Sequence, residues 1–539
     1  MLDGDARYAE PLIEEEMWAA DAIVTALDDA GVELVLGMPG GLTVPIWRAL
    51  HEHPRIRAVL VREESLGSYM AEAHGRLTGR PVVVMGQGEW MVGNAGQGYL
   101  EALLGSSPMI VLTEMSDGGA LAHHGPYQGG SGDHGAWDAK KALEGVTKRV
   151  MVSRHPAQAV QHVQLAIKHA TTGDPGPVAV IFDSASLEGK VGPDSVPRLY
   201  RASGYLDVAR PAPESEDVAF VLETLRSAQR PVIIAGNGVR VGGASQLLVD
   251  AAQLLDVPVV TTASGKGVVP EASPYFAGVI GAFGRPTAND LLGDADVVLA
   301  IGTKLGTMDT IDEHKALLDP SRQLLIHVDI DPLMVAWTTP AARAVVADAG
   351  RFLEQLIKQH DAGAERRSAG TAERVVRDDR SGPEFTSTEV PFTPQRTISM
   401  LSESLPSDAV ITADAGENRL FMMRWFQAKR PGGYLQPAAG GGMGHAIPAA
   451  LGAKLAFPDS PAVAVCGDGG FAMAMAGLMT ALEEDLPIGR RVQQQHAGLG
   501  VPRHGPQDRG RRAGQLRPGR RGRVPRVRRR APDLGRGAR

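Results

Sequence analysis

Short, almost wholly apolar runs, each closed by glycine or a polar residue, recur along most of this chain and leave few folds open to it. Residues 32–40 (VELVLGMPG), 80–88 (RPVVVMGQG) and 107–115 (SPMIVLTEM) have strand length and lack the polar-apolar alternation of a half-exposed sheet. That is the pattern of strands buried on both faces of a parallel sheet. Helical periodicity lies between them: in SLGSYMAEAHGRL, residues 65–77, Leu66, Tyr69, Met70 and Ala73 share one face. These elements define a first unit over residues 14–190, followed by a Pro- and Ser-containing linker over 190–213. A second unit, 214–360, repeats the alternation with PVIIAGNG, PVVTT, ADVVLAIG and QLLIHVDID, which predicts a doubly wound sheet. Residues 361–392 are charged, poor in apolar groups and expected to be a second exposed linker. A third unit begins near 393 and carries AVITADAGENR and AVAVCGDGG. The expected class is α/β, with three doubly wound parallel-sheet domains.

That pattern stops at Ile488. The next residues are Gly-Arg-Arg, where a strand begun by Leu-Pro-Ile should continue. Residues 489–539 hold 16 Arg and 2 Asp, a net +14 within an overall −7, so the other 488 residues carry −21. An acidic body argues against nucleic-acid binding there, and only the tail is basic. A single cysteine, Cys466, excludes an internal disulfide and fits a reducing compartment, hence an expected cytoplasmic location. The acidic N-terminus does not resemble a signal peptide, and no uncharged apolar run is long enough for a membrane span.

Chemistry concentrates in the first and third units. Glu64 directly follows a predicted strand and opens a helix. Gly467-Asp468-Gly469 sits between a strand and a helix, where a carboxylate beside glycines suits a divalent cation bound to phosphate. Alone, Gly-Asp-Gly is more often a plain turn. The Gly-rich stretch 440–453 precedes it by one helix, and ITADAGENR, 411–419, lies further upstream.

In this order and spacing, residues 14–488 resemble the thiamine diphosphate enzymes of the acetolactate synthase and pyruvate decarboxylase superfamily, the acetolactate synthase large subunit above all. The resemblance implies the thiamine diphosphate-binding fold: a pyrimidine-binding domain (14–190), a central domain (214–360) and an incomplete diphosphate-binding domain (393–488). It gives Glu64 the contact to the pyrimidine nitrogen that lets the cofactor lose its thiazolium proton; the alternative is that Glu63 and Glu64 merely offset a helix dipole. It makes Met443 the apolar wedge between the cofactor rings, against plain core packing, and the Gly441 carbonyl the acceptor for the pyrimidine amino group. Gly416, Glu417 and Asn418 take the diphosphate turn, with an acidic Glu417 as a departure, and Asp468, flanked by Gly467 and Gly469, ligates Mg2+. Activity on a 2-oxo acid such as pyruvate is implied, decarboxylation followed by carboligation, in a homodimer or tetramer whose active site lies at the dimer interface.

Other departures leave the substrate open. GQGEWMVGNAGQG, 86–98, replaces the usual Gly-Pro-Gly turn. His123 and His124 resemble the proton-moving histidine pair of pyruvate decarboxylases, though paired loop histidines are more often surface residues. The central unit resembles the FAD-holding domain of acetolactate synthases, but Lys304 replaces an expected arginine, so an FAD-free domain is favoured.

The family's second metal ligand, an Asn, would fall 27 residues after Asp468, at Gln495. Any Gln codon followed by a codon starting with C, read one base later, encodes Asn or Ser. Gln493-Gln494-Gln495 thus converts to the Asn-Asn ending that the family strand needs. Residues 489–539 are therefore expected to be an out-of-frame, disordered translation, leaving the literal chain impaired. A simple 2-oxo acid decarboxylase is the enzymatic alternative. A non-catalytic scaffold with a basic nucleic-acid-binding tail is the other.

Overall fold

The computed structural model describes residues 9–116, 128–133, 135–361, 371–376 and 380–493. Three all-parallel sheets carry the fold. The first contains β1 (Leu34–Gly37), β2 (Arg57–Leu60), β3 (Val82–Met85), β4 (Met109–Glu114), β5 (Arg149–Ser153) and β6 (Pro177–Phe182), in the order β2-β1-β3-β4-β6-β5. The second contains β7 (Pro231–Ala235), β8 (Val259–Thr261), β9 (Phe276–Val279), β10 (Val297–Ile301), β11 (Leu324–Asp329) and β12 (Arg343–Val346), in the order β9-β8-β7-β10-β11-β12. The third contains β13 (Val410–Ala413), β14 (Tyr434–Leu435), β15 (Ala462–Gly467) and β16 (Ile488–Gln493), in the order β14-β13-β15-β16.

Both faces of the first two sheets are covered, as the continuous apolar runs require. Along β3 and β4, Val82, Val84, Met109 and Val111 enter one core, while Val83, Met85, Ile110 and Leu112 enter another on the opposite face. In β7, Ile233 and Ala235 are separated from Val232 and Ile234 in the same way. Period two thus survives within each strand, but both phases are apolar because helices cover both sides.

One core is shared between the first and third sheets. Helix α1 (Glu64–Thr78) lies over the first sheet and meets the helix that follows the glycine-rich stretch, Ala446–Ala456. Leu66, Met70 and Ala71 join Ala446, Ile447, Ala450 and Ala464 in a single cluster. The helix 446–456 is small-residue rich and buried all round from Ala446 to Ala453. Gly452 lets the two backbones touch: a Cβ there would fall inside contact distance of the Met70 carbonyl. Consequently α1 presents more than the one apolar face that its periodicity predicts, with Ser68, Glu72 and Arg76 buried as well.

Two expected boundaries shift. The strand begun at Ile488 runs on to Gln493, pairing Arg490 with Ala464 and Arg491 with Val465 in parallel register. Backbone hydrogen bonds, indifferent to side-chain type, carry it past the expected stop. The linkers are also less exposed than their composition implies: Leu199 joins a core of the first unit, Ala202 is buried, and Phe385 is buried against Trp425. No described helix is long and apolar enough to cross a membrane.

Candidate active site

In a parallel sheet, the loops after the strands collect at one edge, which is where side chains can converge on a ligand. At that edge of the first sheet, Glu64 opens α1 just after β2. It is only 7% exposed, and its Oε2 accepts a hydrogen bond from Asn94 Nδ2 at 2.9 Å. Asn94 stands between α2 (Gly88–Gly93) and α3 (Gly96–Leu104). Among the described residues no other donor reaches Glu64, so one carboxylate oxygen stays open. Its position in the first turn does suit the helix dipole. Yet a carboxylate serving only that purpose would remain in water, since burial costs several kcal/mol unless the group is used. Tyr99, fully buried on α3, has its phenol pushed well above its ordinary range by burial, with the charge of Glu64 adding. A second carboxylate, Glu114, ends β4 at this edge. Burial raises it, although the Ser116 hydroxyl and amide and the Gly88 N–H all donate to it.

The facing elements belong to the third unit. Its glycine-rich turn, 440–445, is shaped by the first unit. Gly442 N donates to Glu101 Oε1 at 2.6 Å, and the Tyr69 hydroxyl lies 3.5 Å from the Met443 carbonyl oxygen. A Cβ on Gly442 would strike that Tyr69 hydroxyl, and one on Gly440 would lie 2.7 Å from Glu101 Oε1. Gly441 has φ +66°. The run of glycines is thus a steric consequence of two side chains pressed against backbone. Asp414, at the end of β13 and 1% exposed, accepts from the N–H groups of Ala415, Gly444 and Ala446 at 2.8–3.0 Å, clamping the turn to the sheet. Met443 is 56% exposed, which rules out core packing within the chain.

Gly416 caps the helix α4 (Glu417–Trp425) with φ +98°, a conformation open to glycine. Glu417 occupies the first turn of α4. Asn418 is turned inward, and its amide donates to the carbonyls of Asp414 and Val465 at 3.1 and 3.2 Å. That side chain ties α4 to β13 and β15. The helix 446–456 is α5, and Asp468 opens α6 (Asp468–Met473) after Gly467. Asp468 and Gly469 are exposed, and among the described residues Asp468 Oδ1 accepts only from the N–H of Gly469 at 3.0 Å.

These residues fit a diphosphate with a magnesium ion. An exposed carboxylate at a strand's end, beside glycines and a helix start, supplies one hard oxygen and room for phosphate oxygens and water to supply the rest. No group of three or more His, Cys, Asp or Glu residues able to hold a metal exists among the described residues. His123, His124 and Gln495 lie outside the described residues. Glu64 and Asp468 share no hydrogen bond or ion pair among the described residues.

The glycine-rich turns of the central unit meet as well. Gly236 and Gly238, after β7, pack so tightly on Gly302, after β10, that a Cβ on either would overlap it. β7 and β10 are where the strand order reverses, the usual place for a ligand in such a sheet. A cavity of about 380 Å³ opens there, lined by Asn237, Thr262, Lys304, Asp309 and Asp329 among others. Its cations are already paired: Lys304 Nζ lies 3.2 Å from Asp174, and Arg210 lies 3.3 Å from Asp348. Burial pushes Asp309 and Asp329 up to about 6.

Three domain models match in sequence: the thiamine pyrophosphate enzyme N-terminal TPP binding domain over residues 17–134, the central domain over 218–356, and the C-terminal TPP binding domain over 414–490. The chain is 30% identical to the probable acetolactate synthase large subunit of Methanocaldococcus jannaschii over 483 residues, 88% of this chain and 79% of that protein. It is 29% identical to the acetolactate synthase isozyme 3 large subunit of Escherichia coli over 489 residues, 88% and 81% of the two chains. It is 30% identical to the probable 2-ketoarginine decarboxylase AruI of Pseudomonas aeruginosa over 482 residues, again 88% and 81%. With a buried Glu64 at one sheet edge, an exposed Asp468 at another and this order of domains, the chain belongs to the thiamine pyrophosphate enzymes, akin to the acetolactate synthase large subunit.

Proposed function

We propose that the chain decarboxylates a 2-oxo acid and joins the remaining fragment to a second carbonyl compound, as its acetolactate synthase relatives are named for doing. The observation that carries this is Glu64: a buried carboxylate with one oxygen held by Asn94 and the other open. When bound, the cofactor would supply a nucleophilic carbon to add to the 2-oxo group and a cationic ring to take up the electrons released with CO2. Glu64 holds or returns the proton on the pyrimidine side, and Asn94 keeps its carboxylate in place. The Gly441 carbonyl and the exposed Met443 would hold the cofactor rings, and Asp468 would hold a magnesium ion. Deuterium exchange at the thiazolium C2 of bound cofactor tests the role of Glu64. Glu64→Gln should slow it by about 10²-fold or more, and unchanged exchange removes Glu64 from the role.

Decarboxylation without ligation is a second reading, favoured by the similarity to a probable 2-ketoarginine decarboxylase. Product analysis on a panel of 2-oxo acids separates the two: carboligation gives acetolactate- or acetoin-type products, plain decarboxylation free aldehyde. For the central cavity, the paired state of Lys304 and Arg210 and the carboxylates around them speak against FAD, whose pyrophosphate needs free donors. An absence of flavin absorbance in the purified chain is the expected result.

Glu64 and Asp468 would meet across a homodimer. Supporting this, Met443, Met473, Met475, Met479 and Leu482 are exposed around one half of the site, and Met38, Leu60 and Trp90 around the other. Residues 489–539 are read as out of frame. Two arginines stand in register beside the buried Ala464 and Val465, where a parallel sheet takes apolar residues. Sequencing the locus tests this: an in-frame Arg490-Arg491 in independent isolates overturns it. The literal chain should bind magnesium thiamine diphosphate weakly, and tight saturable binding in a titration would contradict that.

A further inference from the structure

In a trans peptide the carbonyl and the N–H of one unit point in opposite directions, so fixing one aims the other. The unit between Gly441 and Gly442 is trans. Its N–H donates at 2.6 Å to Oε1 of Glu101, on α3 of the first unit. Its carbonyl therefore leaves the turn on the side away from Glu101. Among the described residues no donor reaches that carbonyl. The unit between Met443 and Gly444 differs. Its N–H donates to Asp414 Oδ1 at 2.9 Å, and the Tyr69 hydroxyl lies 3.5 Å from its carbonyl oxygen. Of these two pinned units, only the first presents an open acceptor.

Glu101 does more than give the turn a wall to lean on. It is 1% exposed, and its Oε2 is buried without a donor among the described residues. Arg419 offsets part of its charge but closes no ion pair with it among the described residues. A glutamine would accept the same N–H without burying a charge. What the carboxylate adds is a stronger bond to that N–H. It also polarises the peptide unit beyond, which makes the Gly441 oxygen a better acceptor. We propose that Glu101 is a positioning residue for the cofactor, aiming and strengthening the Gly441 carbonyl that takes the pyrimidine amino group. The inference rests on the proposed contact between that carbonyl and the amino group.

Calorimetric titration of the full chain compares magnesium thiamine diphosphate with its 4′-deamino analogue, which has no amino hydrogens to offer. The readout is a ratio of affinities, so the weak overall binding expected of this chain does not obscure it. Wild type should prefer the natural cofactor by about tenfold. Glu101→Leu should show no preference, and Glu101→Gln, which keeps an acceptor without the charge, should fall in between. A glutamate that served only the fold would weaken both ligands equally, and an unchanged ratio in Glu101→Leu overturns the proposal. Should Glu101→Leu not fold, the isosteric Glu101→Gln decides, and a preference equal to that of wild type overturns it. A wild-type chain without any preference removes the Gly441 carbonyl from its role, and the proposal with it. Hydrogen exchange in the cofactor-free chain reads the anchor by itself. The Gly442 amide should exchange about tenfold faster or more in Glu101→Leu than in wild type, and equal rates overturn the proposal.

Discussion

Individual residues in this chain are set by what presses on them. Gly442 is the clearest case, because the Tyr69 hydroxyl occupies the place of its missing side chain. Gly442→Ala should displace the turn that carries Met443, at a cost of about 1–3 kcal/mol. The loss should appear as weaker thiamine diphosphate binding in a titration, with circular dichroism unchanged. Asp329, lining the central cavity, is raised to about 6 by burial, with Asp174 and Asp331 adding. An unfolded aspartate titrates near 3.9, about two units lower. The folded chain thus holds this proton more tightly, so its stabilising contribution declines as pH rises from about 4 to about 6 and stays lost above. Asp329→Asn removes that loss. Its urea midpoint should exceed that of wild type at pH 7, and the gap should close by pH 4.

Among elements, the seam between α1 and α5 joins the first and third sheets. It is built from small residues and a buried polar network. Arg76 Nε lies 2.8 Å from Glu72 Oε1, His445 Nε2 lies 3.1 Å from Glu72 Oε2, and the Ser107 hydroxyl donates to Glu72 at 3.1 Å. Burial alone would raise Glu72, but Arg76, His445 and Ser107 together hold it below its ordinary value. Its stabilising effect is thus present above the unfolded glutamate range and lost as pH falls through the depressed folded value. Glu72→Ala leaves Arg76 buried and uncompensated, and should destabilise by about 3–5 kcal/mol. Thermal melts at pH 7 measure this, and the difference from wild type should shrink towards acid pH. Periodicity placed α1 and revealed one apolar face, but it left the polar positions unassigned. Nothing local to α1 says that a second helix will cover Glu72.

For the whole molecule, the two halves of the proposed site lie on sheet edges that do not meet through any hydrogen bond between Glu64 and Asp468. The exposed methionines and Leu482 beside Asp468, and Trp90 and Leu60 beside Glu64, are the surfaces a second copy would cover. Met475→Glu combined with Leu482→Glu should convert the proposed homodimer to monomer in light scattering. Oxygen-bearing side chains cannot be left unsolvated in such a seam. Cofactor binding should fall with it, since each site would need both copies.

What the sequence determined by itself was the class of fold, the positions of Glu64 and Asp468 and the family they announce. Strand runs and strand-to-helix turns are local, and the chemistry of a motif travels with its spacing. Tertiary structure alone decided the rest. Asn94 on Glu64, Asp414 and Glu101 on the glycine turn and the inward turn of Asn418 all depend on residues far apart in the chain. Asp414 came nearest to being legible, as an acid ending a strand upstream of a glycine-rich stretch. The others carry no such mark, because a side chain's partner is set by which elements pack together, and packing is a property of the folded whole.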